Sequence, residues 1–218
     1  MYVPEHFREG DLARLDWLAA HDAFGTLISS IEGAPFATHL PVLYARSGEC
    51  VTLTGHWARA NPQWRTIEGQ RALFVFHGPH AYVSPRWYVE PRRHVPTWNY
   101  AVAHVYGSVR LIHEREALER IVTALAGIYE GGSPGAWRLA ESEPANLASL
   151  RGIVGFELCA AEVQVKFKLN QNHPRGNVEG AIRGLRAQGS PDAQATAALM
   201  ASALAAGNAG KKEPGRDT

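Results

Sequence analysis

The sequence predicts a mainly β chain with flanking helices, an α+β arrangement built on an antiparallel barrel. Six β-rich runs lie within residues 25–31, 36–44, 51–54, 72–76, 81–84 and 101–112, most of them separated by turns rich in Gly, Pro or Ser. No regular interleaving with helices breaks this series, which argues against a parallel α/β sheet. Two further runs, at 153–158 and 162–169, read as the last strands, and the second alternates apolar and polar residues cleanly. A barrel also closes its own edges.

In chain order, Asp11 caps a short helix whose Leu12, Leu15 and Ala19 share one face. The first two strands are joined by Glu32-Gly33-Ala34-Pro35, a hairpin turn, and Ser47-Gly48-Glu49 turns into the third. Gly78-Pro79 reads as a break between the fourth and fifth runs. Residues 114–129 switch to helical spacing, with Leu118, Ile121, Val122, Leu125 and Ile128 on one side and a glycine-rich stop from Gly131. Beyond Asn172 the spacing of Val178, Ala181, Ile182 and Leu185 gives one helix, Gly189 a turn, and Ser190-Pro191-Asp192 the capped start of another. This organises residues 1–207 as a single domain with C-terminal helices from about 177 and a disordered tail over 208–218.

With 45% hydrophobic and 20% charged residues, the 218-residue chain can bury a full core. A net charge of +1 supplies no basic field, so general attraction to nucleic acid or anionic lipid is not implied. No segment has the length and apolarity of a membrane span, and the N-terminus lacks the pattern of a secretion signal, so a cytoplasmic protein is the default expectation. Cys50 and Cys159 are too few for a disulfide framework or a zinc site.

The stretch around which the chain is organised is Thr54-Gly55-His56-Trp57-Ala58-Arg59-Ala60-Asn61-Pro62-Gln63-Trp64. Read as one loop and one helical turn, it suits an anion beside a flat ring. Glycine admits close backbone approach, Arg59 and His56 donate to phosphate oxygens, and Trp57 and Trp64 offer aromatic faces. The alternative is a strand end and a polar turn whose tryptophans are core anchors. Val95-Pro96-Thr97-Trp98-Asn99-Tyr100 could close over a ligand ring, or be a proline-directed turn with core aromatics. Lys168-Leu169-Asn170-Gln171-Asn172-His173 could line a polar site, or be an ordinary asparagine-rich turn.

Metal chemistry has little support. His77-Gly78-Pro79-His80 holds two imidazoles, but Gly-Pro forces a turn between them and no further ligand lies at a suitable spacing. Heme ranks lower still. There is no nucleophile elbow, dinucleotide fingerprint or P-loop, which removes most support for hydrolase and nucleotidase readings.

Several ordered blocks carry a family likeness: the N-terminal Met1 to Phe7, Phe24-Gly25-Thr26-Leu27, Thr38-His39-Leu40-Pro41, Gly55 to Trp64, Tyr82-Val83-Ser84-Pro85, Val95 to Tyr100, His104-Val105-Tyr106-Gly107 and Lys168 to Asn172. Together they resemble the PaiB-like FMN-binding negative transcriptional regulators, from Met1 to about Met200. The resemblance implies an FMN-binding split β-barrel, pyridoxamine-phosphate-oxidase-like, working as a homodimer with FMN between subunits. It implies phosphate contacts near His56, Arg59 and Asn61, with Thr54 on the strand that presents them. Thr26, Thr38, His39 and Leu40 would border the ring or ribityl chain, and Thr97, Trp98, Lys168, Asn170, Gln171 and Asn172 would complete the pocket. Asn170 departs from the pattern, in which serine is expected.

Two functions follow from that likeness: transcriptional repression, or flavin-dependent oxidoreduction of a small molecule with NAD(P)H or another reductant. A heme-binding or heme-degrading barrel is a third, and pyridoxal phosphate would present the same phosphate and flat ring. The second C-terminal helix has no Lys or Arg through Met200, so it would forfeit the phosphate attraction on which DNA recognition draws.

Overall fold

The computed structural model describes residues 1–131 and 133–209, and of residues 207–209 the backbone alone. After β1 (Arg8–Glu9) and α1 (Ala13–His21) come β2 (Phe24–Ile31), β3 (Ala34–Pro41), β4 (Leu43–Ser47) and β5 (Cys50–Ala58). The one-turn α2 (Trp64–Ile67) leads to β6 (Arg71–Val83) and β7 (Thr97–Ile112), followed by α3 (Arg115–Glu130) and α4 (Pro144–Ser149). β8 (Ile153–Lys168), α5 (Arg175–Gln188) and α6 (Pro191–Ala209) complete the chain, and the tail expected from 208 lies, past Ala209, outside the described residues.

The eight strands form one antiparallel sheet, with neighbours in the order β3-β2-β6-β7-β8-β5-β4 and β1 paired to β8. β2 and β3 are joined by a two-residue turn in which Glu32 and Gly33 both have positive φ, 52° and 82°. That geometry matches the right-handed twist of the strands it connects.

Strand boundaries depart from the sequence reading in several places, and β7 begins at Thr97, so Thr97 to Tyr100 are strand and not a closing loop or turn. The run at 36–44 splits, because Pro41 has no amide proton to extend the ladder and the Val42 N–H donates to the Ala23 carbonyl at 3.0 Å. β5 continues to Ala58, so Thr54 to Trp57 are strand and not loop. β6 runs straight through Gly78-Pro79, and the turn expected there is not formed. A proline costs the ladder a single donor, and its φ is compatible with extended backbone. β8 likewise absorbs Ala160-Ala161, a pair without turn-forming chemistry, into one strand.

The described residues divide into two compact units: residues 1–10, 78–102 and 165–209, and residues 11–77 and 103–164. The second unit buries Leu27, Leu53, Trp57, Phe74, Phe76, Phe156 and Leu158 almost completely. Against its sheet lies α3, which packs Leu118, Ile121 and Leu125 on Ile112. Each such side chain contributes roughly 1.5–3 kcal/mol by leaving water. Ile128, assigned to the same face by spacing, is 58% exposed, one turn beyond the cluster. α1 begins as expected, with the Asp11 carboxylate accepting from the Ala13 N–H at 2.9 Å.

In the first unit, α5 buries Val178, Ala181, Ile182 and Leu185, and α6 buries Ala193, Ala197, Leu199 and Met200. The Ser190 hydroxyl accepts from the Ala193 N–H at 3.3 Å and caps α6. Lys166 is also buried. Its ammonium donates to the Tyr2 carbonyl at 3.1 Å and lies 5.1 Å from the centre of the Tyr100 ring.

Gly107 on β7 marks the closest backbone approach in the sheet: a Cβ there would stand 2.1 Å from the Cys159 carbonyl oxygen. Gly107→Ala must push strands apart, and a loss of roughly 2–4 kcal/mol is expected. Urea unfolding checks this, since an unchanged midpoint would mean the sheet yields there freely.

Candidate functional site

The stretch that the sequence singles out is anchored by Gln63, which is fully buried. Its Nε2 donates to the carbonyls of Leu27 (3.1 Å) and Phe36 (3.2 Å) and to the Ser29 hydroxyl (3.1 Å). Its Oε1 accepts from the Trp57 indole at 3.0 Å. One amide thus ties β5 to β2 and β3. Trp57 is 2% exposed and packs on Phe156 with ring centres 4.6 Å apart, so it is a core anchor and offers no open face. Gly55 serves the same packing, since a Cβ there would lie 2.8 Å from the Phe156 ring. Trp64 is half-buried and donates its indole N–H to the Arg59 carbonyl at 2.9 Å.

Asn61 precedes this anchor. Its Oδ1 accepts from the Gln63 N–H at 2.9 Å, closing an Asx turn, and its Nδ2 donates to the Thr38 hydroxyl at 3.0 Å. Arg59 is exposed, yet its Nε donates to the Arg151 carbonyl at 2.7 Å and its Nη2 to the Ile153 carbonyl at 2.9 Å. Those two bonds fix the guanidinium and leave Nη1 available.

The alternation of side chains along each strand separates the remaining candidates. β2 pairs Leu27 with Thr38 and Thr26 with His39, so Thr38 and the buried Leu40 share one face of β3 while His39 lies on the other. On that other face the Thr26 hydroxyl meets His39 Nδ1 at 3.0 Å and His77 Nε2 at 3.1 Å. Thr54 and His56 lie on the face of β5 opposite Trp57. Thr54 and Ile121 of α3 line one cavity there, and His56 stands across from Gly155, where a Cβ would meet Leu118 and Ile121. Burial holds the His56 imidazole below its usual pKa, and its buried Nδ1 has no hydrogen-bond partner among the described residues.

Candidates from the other unit form their own groups. Lys168 Nζ donates to the Thr97 hydroxyl at 2.5 Å. Trp98 is 53% exposed, with the rings of His80 and Tyr82 at 6.2 and 6.1 Å. Asn170 is buried with φ 64°, a left-handed conformation that asparagine tolerates better than serine, and its Nδ2 donates to the Tyr88 hydroxyl at 2.9 Å. Its departure from the expected serine therefore has a backbone reason. Gln171 turns both ends of its amide onto the strand end, accepting from the Leu169 N–H at 2.7 Å and donating to the Phe167 carbonyl at 2.5 Å. Asn172 is exposed.

Comparison with known proteins decides the family. A family model described as "Putative FMN-binding domain" matches residues 1–162. The protease synthase and sporulation protein PAI 2 of Bacillus subtilis (strain 168) is 36% identical over 208 residues, covering 92% of this chain and 96% of that protein. The chain belongs to the PaiB-like FMN-binding family. Among solved structures it is similar to the flavocytochrome Anf3 of Azotobacter vinelandii (16% identity, 76% of this chain and 72% of that one, TM-score 0.56). It is also similar to the FAD and heme binding protein of Mycobacterium smegmatis (18% identity, 74% and 73%, TM-score 0.55). The PaiB-like chain thus has the split β-barrel fold that these solved structures share.

The Arg59 guanidinium, fixed by two carbonyls, and the hydroxyl–amide pair of Thr38 and Asn61 are donors of the kind that suits a phosphate, whereas the orphaned imidazole nitrogen of His56 lies on the other face of β5, toward α3. Sequence reasoning gave Gln63 no role, since glutamine is seldom buried, missed Tyr88, and weighed His77 only as a metal ligand, because the partners Asn170 and Thr26 are far off in sequence.

Gln63→Leu removes the partner of the Trp57 indole and of the Ser29 hydroxyl and the bonds to two strand carbonyls, and about 2–4 kcal/mol of stability should be lost, read as a lowered urea midpoint. For His56 the folded pKa is depressed below 6.5, so its contribution is present above that pH and is lost as pH falls below it. His56→Asn should therefore flatten the decline in stability as pH falls below 6.5, and parallel curves for the two proteins would contradict the burial of a neutral imidazole.

Proposed function

We propose that this protein is an FMN-binding homodimer whose activity is redox chemistry on a small molecule. The observation that carries the reading is the FMN-binding family match over residues 1–162, which spans the Thr54 to Trp64 stretch. In this reading the flavin phosphate lies at Arg59, Asn61 and His56, and Thr38, His39, Leu40, Thr26 and Thr54 border the rest of the cofactor. Thr97, Trp98, Lys168, Asn170, Gln171 and Asn172 complete the pocket from the partner subunit. The exposure of large apolar rings at Phe24 (50%) and Trp98 (53%) supports cover by a second copy. A bound flavin supplies hydride or single-electron transfer, and the chain supplies binding, orientation and exclusion of water.

Repression of transcription is the second reading, favoured by the likeness to the Bacillus subtilis protease synthase and sporulation protein, whose name points to control of cellular programmes. Direct DNA contact through α6 is disfavoured: the helix has no Lys or Arg over Pro191–Ala209, and it commits Ala193, Ala197, Leu199 and Met200 to packing.

Two visible absorption bands from the purified protein would identify a flavin, and a single pyridoxal-type band would refute it. Arg59→Ala should weaken FMN by ~1.5–3 kcal/mol, on the order of 10- to 150-fold in Kd. An unchanged dissociation constant removes Arg59 from the site. Turnover of NAD(P)H or of a reducible substrate by the loaded protein supports the oxidoreductase. Salt-dependent retention on promoter DNA without turnover supports the repressor.

A further inference from the structure

A cavity of about 560 Å³ lies where the start of α3 meets α4 and the segment that follows it. Arg59, His113, Arg115 and Arg151 line it, together with Leu118, Pro144, Leu147, Ala148 and Leu150, and no carboxylate is among the lining residues. Solvated surface arginines ordinarily sit among acids. Here Arg115 and Arg151 have no ion-pair partner among the described residues.

The Glu114 carboxylate accepts from the His113 N–H at 3.2 Å, and Glu141 pairs with Arg138 at 3.5 Å. Arg59 is held toward the cavity by the carbonyls of Arg151 and Ile153. Like charges converging on a concavity with low-dielectric walls focus a positive potential into it, and the apolar wall opposite adds affinity for a hydrophobic body.

We infer that this cavity is a binding site for a small organic anion, a phosphate or carboxylate carried on an apolar or aromatic body, which shares only Arg59 with the proposed cofactor site. The anionic group faces Arg115, Arg151 and Arg59, and the body lies against Leu118, Leu147 and Leu150. This assignment does not require the flavin reading, although Arg59 is common to both. The test therefore leaves Arg59 intact.

Calorimetric titration of the full-length protein, as purified and after FMN loading, uses phenyl phosphate, benzoate and neutral benzyl alcohol. Saturable binding of phenyl phosphate, of benzoate, or of both is expected, with benzyl alcohol silent. The more strongly bound of the two names the anionic group. Arg115→Ala and Arg151→Ala should each weaken that binding at least 10-fold while FMN affinity stays within about twofold, and Leu147→Trp should block it by filling the cavity. Absence of saturable binding by either anion overturns the proposal, as does binding that both arginine variants retain. If phenyl phosphate competes with FMN and both variants shed the flavin, the cavity is the cofactor's own phosphate seat and the separate site does not exist. A failed flavin reading would appear independently, as a protein without flavin absorbance that still binds the anion.

Discussion

A single buried amide governs the part of the fold from which the candidate site is built. Gln63 satisfies the Trp57 indole with its oxygen and the edges of β2 and β3 with its nitrogen, and no part of it reaches solvent. A buried polar group is tolerated only when its bonding capacity is filled, and a filled one specifies position more sharply than apolar contact does. Because Gln63 is fixed, the Asx turn at Asn61 is fixed. Asn61 in turn reaches Thr38, while Arg59 is latched two residues earlier to the carbonyls of Arg151 and Ile153.

The same constraint explains why the candidate residues do not form one cluster within this chain. Along β5, Trp57 must point to the face where Gln63 waits, and the pleat then sends His56 and Thr54 to the face covered by α3. Along β3, placing Thr38 beside Asn61 sends His39 to the opposite side, where it meets Thr26 and His77. Residues adjacent in sequence are thereby assigned to different surroundings, and a cofactor that used all of them would have to span more than one face of the sheet.

Much of the architecture was legible in the residues. The antiparallel β class, the α3 face of Leu118, Ile121 and Leu125, and the Ser190 cap follow from periodicity and local hydrogen-bonding chemistry. Strand ends were less legible. Gly78-Pro79 carries a strong local turn signal, yet pairing along β6 overrides it, because the ladder on either side is a sum of many bonds and the proline removes one. The site was legible as a list of residue types and not as an arrangement. Asn170 shows the limit: its identity suggested a ligand contact, whereas a left-handed backbone and the Tyr88 hydroxyl account for it.

The sequence by itself determined the family, the antiparallel β class and the region that matters, since ordered motifs and side-chain periodicity are properties of neighbours along the chain. Only the tertiary structure decided which side chains are free to act. Whether Trp57 is a stacking face or a core anchor, and whether arginines at 59, 115 and 151 are scattered charges or one basic cavity, depends on contacts between residues far apart in the chain. Burial and charge convergence are set by what packs against a residue in space, and no local pattern records it.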